Sequence, residues 1–260
     1  MSDLMQGKTV LVTGVRNERS IAWHAAVALN REGANVIFSV YAEREQASVT
    51  RLLDSAGISA PILLCDATNE EQVQRMMGEI GEISGGKLSG FIHSMAFANK
   101  DELTGEYIAT SQDGFNIANV SSVYTLITLS KAARPLLNAA GGGSIVTLTY
   151  LGAERVIPNY NIMGVAKAGL EASVRYLAYD LGKENIRVNS VSAGPIRTLA
   201  ARAIAGMDAM VKEVAEKSPL KREVTPAEVG DTVLFLLSDW ARGITGETIY
   251  VDCGYHIMGF

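Results

Sequence analysis

The residue types best suited to chemistry lie in one segment, Tyr150-Leu-Gly-Ala-Glu-Arg-Val-Ile-Pro-Asn-Tyr160-Asn-Ile-Met-Gly-Val-Ala-Lys167. A phenol donates a hydrogen bond to a carbonyl oxygen as negative charge collects there. An ammonium nearby favours the same charge and binds hydroxyls such as those of a nicotinamide ribose. Tyr160 and Lys167 are seven residues apart. Seven helical steps of about 100° return to nearly the same face, about 10 Å further along the axis. Ile157-Pro158-Asn159 predicts a helix entrance, and residues 165–181 continue with helical apolar periodicity. One helical face would then present both groups. Four residues before Lys167 stands Met163, so the phenol sits about one turn further back than in a Tyr-x-x-x-Lys arrangement. That displacement suits a different substrate carbonyl. Tyr150 has two readings, a second active-site aromatic or a strand-end ring packed on a loop.

Positioning these groups requires a rigid frame, and the rest of the chain supplies its pattern. Apolar runs at 9–13 (TVLVT), 35–40 (NVIFSV), 61–65 (PILLC), 88–94 (LSGFIHS), 144–149 (SIVTLT), 186–192 (IRVNSVS) and 248–251 read as strands. Helical patterns at 20–31, 43–55, 70–78, 111–137, the Tyr160 segment and 226–237 alternate with them. Thr225-Pro-Ala-Glu228 has the form of a capping box with proline at the first helical position. Continuously apolar strands separated by helices predict a parallel sheet covered on both faces. With no linker or low-complexity stretch, residues 1–260 read as one α/β domain, a Rossmann-type doubly wound parallel sheet of about seven strands.

In such a sheet the first strand feeds a phosphate-binding turn. Here it runs into Gly14-Val-Arg-Asn-Glu-Arg-Ser20-Ile21-Ala22, without the G-x-G-x-x-G pattern. Gly14 supplies a tight turn and Ala22 permits close approach. Ser20 either caps the helix and donates to a phosphate or is an ordinary N-cap. The second strand ends Tyr41-Ala42-Glu43-Arg44. Tyr41 and Ala42 offer no cation for a 2′-phosphate and Glu43 would repel one, so NADH is favoured over NADPH. Asp66, after the third strand, suits either an adenine amino group or the cap of the next helix. The fourth strand ends His93-Ser94-Met-Ala96-Phe97-Ala98, small residues past which a cofactor backbone fits, with His93 read as an ordinary strand residue.

Composition narrows the classes. The 260 residues carry a formal charge of −5, with 48% hydrophobic and 20% charged residues. Nucleic acid and anionic membranes are disfavoured as partners. Cys65 and Cys253 form no disulfide framework or metal pattern and read as buried apolar residues, and no metal site is expected. Neither a signal-peptide core nor a membrane-length apolar run is present, so a cytoplasmic protein is expected.

Four segments together resemble the bacterial enoyl-acyl-carrier-protein reductases of type II fatty-acid synthesis, a divergent branch of the short-chain dehydrogenase/reductases. They are Gly14-x5-Ser20-Ile21-Ala22; Thr149-Tyr150-Leu-Gly-Ala-Glu through Pro158-Asn-Tyr160-Asn-x-Met163-Gly-x-Ala-Lys167; Arg187-Val-Asn-x-x-Ser-Ala-Gly194-Pro-Ile196-Arg-Thr198-Leu-Ala-Ala201; and Gly243-x-Thr-Gly-Glu-x-x-x-Val-Asp252. The resemblance implies hydride transfer from NADH to the double bond of a trans-2-enoyl thioester. It implies Tyr160 as the active-site phenol, Lys167 as the ribose-binding lysine and Tyr150 beside the thioester pocket. Ile196 and Thr198 would touch the nicotinamide carboxamide and pyrophosphate. Ser94 and Ile21 would flank the cofactor, and Asp66 and Ala67 would hold adenine. Ala96, Phe97, Ala98 and Met163 would line the substrate pocket. A flap at about 195–215, with Ala200, Ile204 and Met207 as its apolar face, would cover the acyl chain. The family is usually tetrameric, and the apolar tail 255–260 suits such an interface. The acidic carrier protein would need a local basic patch; Lys212, Lys217, Lys221 and Arg222 read equally as that patch or as a solvated helix face. Trp23-His24 and Cys253 depart from the family pattern without touching the chemistry. Two rivals remain. A 3-ketoacyl reductase or alcohol dehydrogenase of the same fold needs a tyrosine where Met163 stands, and a serine near Tyr150. A non-catalytic dinucleotide-sensing protein has no need of a carbonyl-directed donor.

Overall fold

The alternation of apolar runs and helical periodicity resolves into a single seven-stranded sheet in a computed structural model, which describes residues 4–199, 201 and 204–259. In chain order the elements are β1 (Thr9–Thr13), α1 (Ile21–Arg31), β2 (Asn35–Val40), α2 (Glu43–Ala56), β3 (Ile62–Leu64), α3 (Glu70–Ile83) and β4 (Gly90–His93). There follow α4 (Gln112–Asn119), α5 (Thr125–Ala139), β5 (Gly143–Thr149), α6 (Asn161–Gly182), β6 (Ile186–Ala193), α7 (Met207–Lys217), α8 (Pro226–Leu237) and β7 (Thr248–Val251). The strands run in the order β3-β2-β1-β4-β5-β6-β7, every pairing parallel. Among the described residues no helix is long and apolar enough to cross a membrane.

The strands are apolar on both faces because both faces are covered. Val10, Val12, Val36, Phe38, Ile92, Val146 and Val191 pack with α1, α2 and α8. Their neighbours Leu11, Ile37, Phe91, Ile145 and Val188 point the opposite way, into α3, α5 and α6. This period-two division is what a strand imposes on consecutive side chains. Cys65 and Cys253 are buried and unpaired. Gly230 lets α8 approach α1 closely, since a Cβ there would lie 2.9 Å from the Ala25 nitrogen. The capping box of Thr225 and Glu228 forms with both its hydrogen bonds.

Some expected boundaries shift. β3 and β4 are shorter than the runs at 61–65 and 88–94, and α3 extends five residues beyond 78. The helix expected over 111–137 is interrupted by a π-helical turn, Val120–Tyr124. Such turns insert a residue and re-aim side chains, often at functional sites. Here the turn buries Ser122, which accepts from the Phe97 N–H (3.2 Å) and faces the Met163 sulfur at 3.9 Å.

The sheet reverses its winding between β1 and β4, the place where α/β sheets open a ligand crevice. Gly14 lies at that opening with φ +80°, and a Cβ there would be 1.8 Å from the Ser94 carbonyl oxygen. The left-handed backbone and the contact with main chain both demand glycine. Gly14→Ala is expected to destabilise the protein by at least about 3 kcal/mol, read by urea unfolding.

Candidate active site

The site is built from the carboxyl ends of the central strands. β5 ends at Thr149, and Tyr150 continues it in extended conformation before a 3₁₀ turn at Leu151–Ala153. The chain then reaches Asn159, whose φ of 64° is left-handed, and α6 begins. Tyr160 is the N-cap of α6 rather than a residue inside it. The phenol is anchored at the helix mouth, one residue outside α6, and Lys167 lies seven residues on, inside it. The Tyr160 ring meets Tyr150 edge-on, centroids 5.2 Å apart at 79°. Gly152 makes room for it, since a Cβ there would be 2.5 Å from the Tyr160 ring. Gly152 was not singled out in the sequence, because its partner ring is eight residues away across a turn.

Tyr160 and Met163 are buried in a small apolar cluster with Leu103, Ala118, Ile162 and Ala166, against which Ala98, Tyr150, Ile157 and Ile204 pack. Burial drives both phenol pKa values up, Tyr150 to about 12 and Tyr160 further. Both are neutral donors at pH 7. The Tyr150 hydroxyl donates to the Met210 sulfur (3.1 Å), whereas the Tyr160 hydroxyl has no hydrogen-bond partner among the described residues. Ala96 and Phe97 are exposed at the rim of this region, so only Ala98 of the three joins the cluster.

Lys167 is buried, and its Nζ donates to the Leu148 carbonyl (2.7 Å). Burial pulls its pKa down to about 8, against the opposing charge of Glu171. One turn along, Glu171 accepts from the Thr149 hydroxyl (2.7 Å), a second tie between α6 and the end of β5.

His93 is fully enclosed, Nδ1 hydrogen-bonded to the Thr147 hydroxyl (2.8 Å) and Nε2 to that of Thr125 (2.9 Å). Burial, and secondarily the charge of Lys167, lowers its pKa to about 3. It is a neutral pin between β4, β5 and α5. Since the unfolded chain protonates this imidazole near pH 6.5, the folded state loses stability as pH falls below that value. The expected slope is about 1.4 kcal/mol per pH unit between roughly pH 6 and 4. Urea unfolding at pH 7, 6 and 5 tests this; His93→Gln should flatten the slope by that amount, and an equal slope would rule it out.

At the nucleotide side Ser20 occupies the N-cap of α1, but its hydroxyl makes no capping bond. It accepts instead from the N–H groups of Arg16 (3.1 Å) and Asn17 (3.2 Å). The loop is thereby folded by its own serine, and the amides of the first turn, at Ile21 and Ala22, keep the anion-binding character of a helix N-terminus. His24 is accounted for by a hydrogen bond to the Glu18 carbonyl (3.0 Å). Asp66 does not cap α3; Asn69 does. One Asp66 oxygen accepts from the Thr68 N–H and hydroxyl, forming a turn beside buried Ala67.

The stretch after Gly194 differs from a plain loop. Thr198 accepts from the Ala201 N–H (3.2 Å), and from Met207 the chain is helical as α7. Arg197 donates to Asp208 (2.8 Å) and Glu223 (2.6 Å), and the Asn159 amide donates to the Ala205 carbonyl (3.2 Å). With Tyr150–Met210, these ties dock the segment against the site. Ile204 and Met207 border a cleft of about 600 Å³ that also includes Arg19 and Arg197. Ile196 packs against the sheet core. Ala200 lies outside the described residues. The four cations suggested for a carrier are engaged within the chain: Lys212 with Glu216, Lys217 with Glu213, Arg222 with Glu228, and Lys221 with the Glu216 carbonyl. Three of the four are thus paired with carboxylates, and only Lys212 and Lys217 lie on α7.

A family profile described as "Enoyl-(Acyl carrier protein) reductase" matches residues 14–256. The chain belongs to the enoyl-acyl-carrier-protein reductase family. The NADH-type reductase of Bacillus subtilis (strain 168) is 52% identical over 258 residues, covering 99% of each chain. That of Nostoc sp. is 50% identical over 258 residues and 98% of each. Among solved structures, the Bacillus cereus reductase with NADP+ and indole naphthyridinone superposes at a TM-score of 0.96, with 49% identity and full coverage of both chains. The Anaplasma phagocytophilum reductase in complex with NAD gives 0.94 at 43% identity, covering 100% of this chain and 98% of that one. In this family member Gly14 meets Ser94, Tyr150 meets Tyr160, and Lys167 reaches the Leu148 carbonyl, contacts between residues far apart in the sequence or across a turn.

Proposed function

We propose that this protein reduces the carbon–carbon double bond of trans-2-enoyl thioesters carried on acyl carrier protein, with NADH as reductant. The observation that supports the reading is a buried, neutral Tyr160 phenol at the mouth of α6, with the buried Lys167 amine seven residues on in that helix. The chain has the features of a dinucleotide site: the close Gly14–Ser94 approach at the end of β1, the free helix mouth at Ile21, and an ammonium at the end of β5. NADH, when bound, supplies the hydride that adds to the substrate β-carbon. Gly14, Ser20, Ile21, Ser94, Ile196 and Thr198 would hold its nicotinamide and phosphates, Asp66 and Ala67 its adenine, and Lys167 its ribose.

Hydride addition to the β-carbon moves negative charge to the thioester oxygen, and a proton drawn from water then adds to the α-carbon to give the saturated thioester. Tyr160 donates a hydrogen bond to that oxygen, and its high pKa keeps the proton on the phenol, so it stabilises the enolate without ionising. Lys167 adds a positive charge at low local dielectric. Tyr150, Ala98, Met163, Ile204 and Met207 would border the acyl chain, with Ala96 and Phe97 at the entrance and residues 195–215, Ala200 included, as a flap that excludes water. Met163 is buried against Ser122, so no phenol stands where a ketoreductase requires one.

The protein would act in the cytoplasm as a homotetramer. The tail supports this: Arg155 donates to the carbonyls of His256 and Met258, yet Ile257 remains 68% exposed. The test is oxidation of NADH, and separately NADPH, with a short trans-2-enoyl thioester and a 3-ketoacyl thioester as control. Turnover of the enoyl compound, faster with NADH, is expected. Preference for the keto compound would assign a ketoreductase, and dinucleotide binding without turnover a sensor.

A further inference from the structure

A buried carboxylate stands close to the site and has no part in the chemistry above. Glu171 lies on α6 four residues after Lys167, so the two share a helix face one turn apart. Both are buried. They grip consecutive residues at the end of β5. Lys167 Nζ donates to the Leu148 carbonyl (2.7 Å), and Glu171 Oε1 accepts from the Thr149 hydroxyl (2.7 Å). The next residue is Tyr150, whose ring meets Tyr160. The Thr149 bond therefore fixes a carboxylate beside the ammonium, at the root of the strand end that buttresses the phenol.

An ammonium removed from water gives up its proton readily, because burial penalises the charged form. One carbonyl partner offsets little of that loss. Lys167 thus depends on a fixed anion. His93 faces it from β4 but is neutral, pinned between two hydroxyls. Tyr150 and Tyr160 hold their protons. Glu171 carries the charge that favours the protonated lysine. We infer that Glu171 is a positioning residue of the reaction: held by Thr149, its carboxylate keeps Lys167 an ammonium for the cofactor ribose. The inference rests on the reading of Lys167 as the ribose-binding cation and adds the residue that maintains its charge.

The groups around Glu171 act in both directions. Burial holds its carboxyl above the usual carboxylate range, and the charge of Glu154, in the loop after β5, works the same way. The Thr149 bond, Arg175 one turn further along α6, and Lys167 itself draw it back. Glu154 in turn accepts from the hydroxyl of Tyr250 on β7, which keeps its proton. Glutamine at 171 would retain an acceptor for Thr149 and lose only the charge.

The test follows the ε-carbon NMR signal of Lys167 against pH in the full chain, assigned by its absence in Lys167→Met, with NADH affinity measured by calorimetry over the same range. Wild type should titrate at about 8. In Glu171→Gln the midpoint should fall by about one pH unit. NADH should then bind about fivefold more weakly than to wild type at pH 8, yet within about twofold at pH 6. Thr149→Val, which frees the carboxylate, should lower the midpoint by about half a unit and decides the matter if the Gln protein does not fold. An unmoved midpoint in a folded variant overturns the proposal. So does an NADH loss of equal size at pH 6 and 8, which a purely structural residue would give. A lowered midpoint with NADH affinity equal to wild type at every pH overturns instead the ribose reading of Lys167.

Discussion

Tyr160→Phe is expected to lower kcat/KM for a trans-2-enoyl thioester by about 10²- to 10³-fold while leaving NADH affinity within about twofold. The ring is held by Gly152, Tyr150 and the cluster around Met163, all of which phenylalanine preserves. Only the hydroxyl is lost, and among the described residues it has no hydrogen bond to lose. The effect should therefore fall on kcat, since the donor is aimed at charge that develops in the transition state. Stability should be unchanged or slightly raised, because a buried phenol is replaced by an apolar ring. Tyr150→Phe should cost far less: its hydroxyl faces Met210 and its ring mainly buttresses Tyr160. Equal losses in the two variants, or a purely KM effect in Tyr160→Phe, would dismiss the assignment of Tyr160 as the carbonyl donor.

Lys167→Met is expected to weaken NADH binding by about 10- to 100-fold, the loss of charge-assisted hydrogen bonds to a ribose. The pH dependence provides the sharper test. Lys167 has a folded pKa of about 8, so its charge is present at neutral pH and lost as pH rises through 8. NADH binding to wild type should weaken above that pH, and the Met variant should lack this limb. Stability moves the other way. The folded pKa lies below that of the unfolded chain, near 10.5, so between about pH 8 and 10.5 the unfolded state holds more protons. Stability from this group therefore rises with pH across that window. At pH 7 the Met variant should be more stable than wild type, a trade of stability against function. Thermal melts at pH 7 and 9 read this directly; a Met variant less stable than wild type at pH 7 would mean that the Leu148 bond outweighs the burial of charge.

The sequence alone determined whatever depends on local periodicity. Strands β1, β2 and β7 and helix α8 stand at the expected residues, because each is bounded by its own turn or cap chemistry. The helix that carries Lys167 stands where its periodicity places it, entered just after Ile157-Pro158-Asn159. Tertiary structure decided what depends on partners distant in the chain. Tyr160 is an N-cap because Asn159 takes a left-handed conformation and ties to Ala205, in the stretch before α7. Ser20 bonds the loop in place of its helix, and Asn69 takes the cap open to Asp66. Helix α7 is docked through Arg197 and Met210. Arg16 and Glu45, 29 residues apart, form an ion pair only because β1 and β2 are neighbours. Periodicity is written within a few turns of chain, whereas hydrogen-bond partners, burial and the pKa shifts they cause exist only once the sheet brings distant strand ends to one edge.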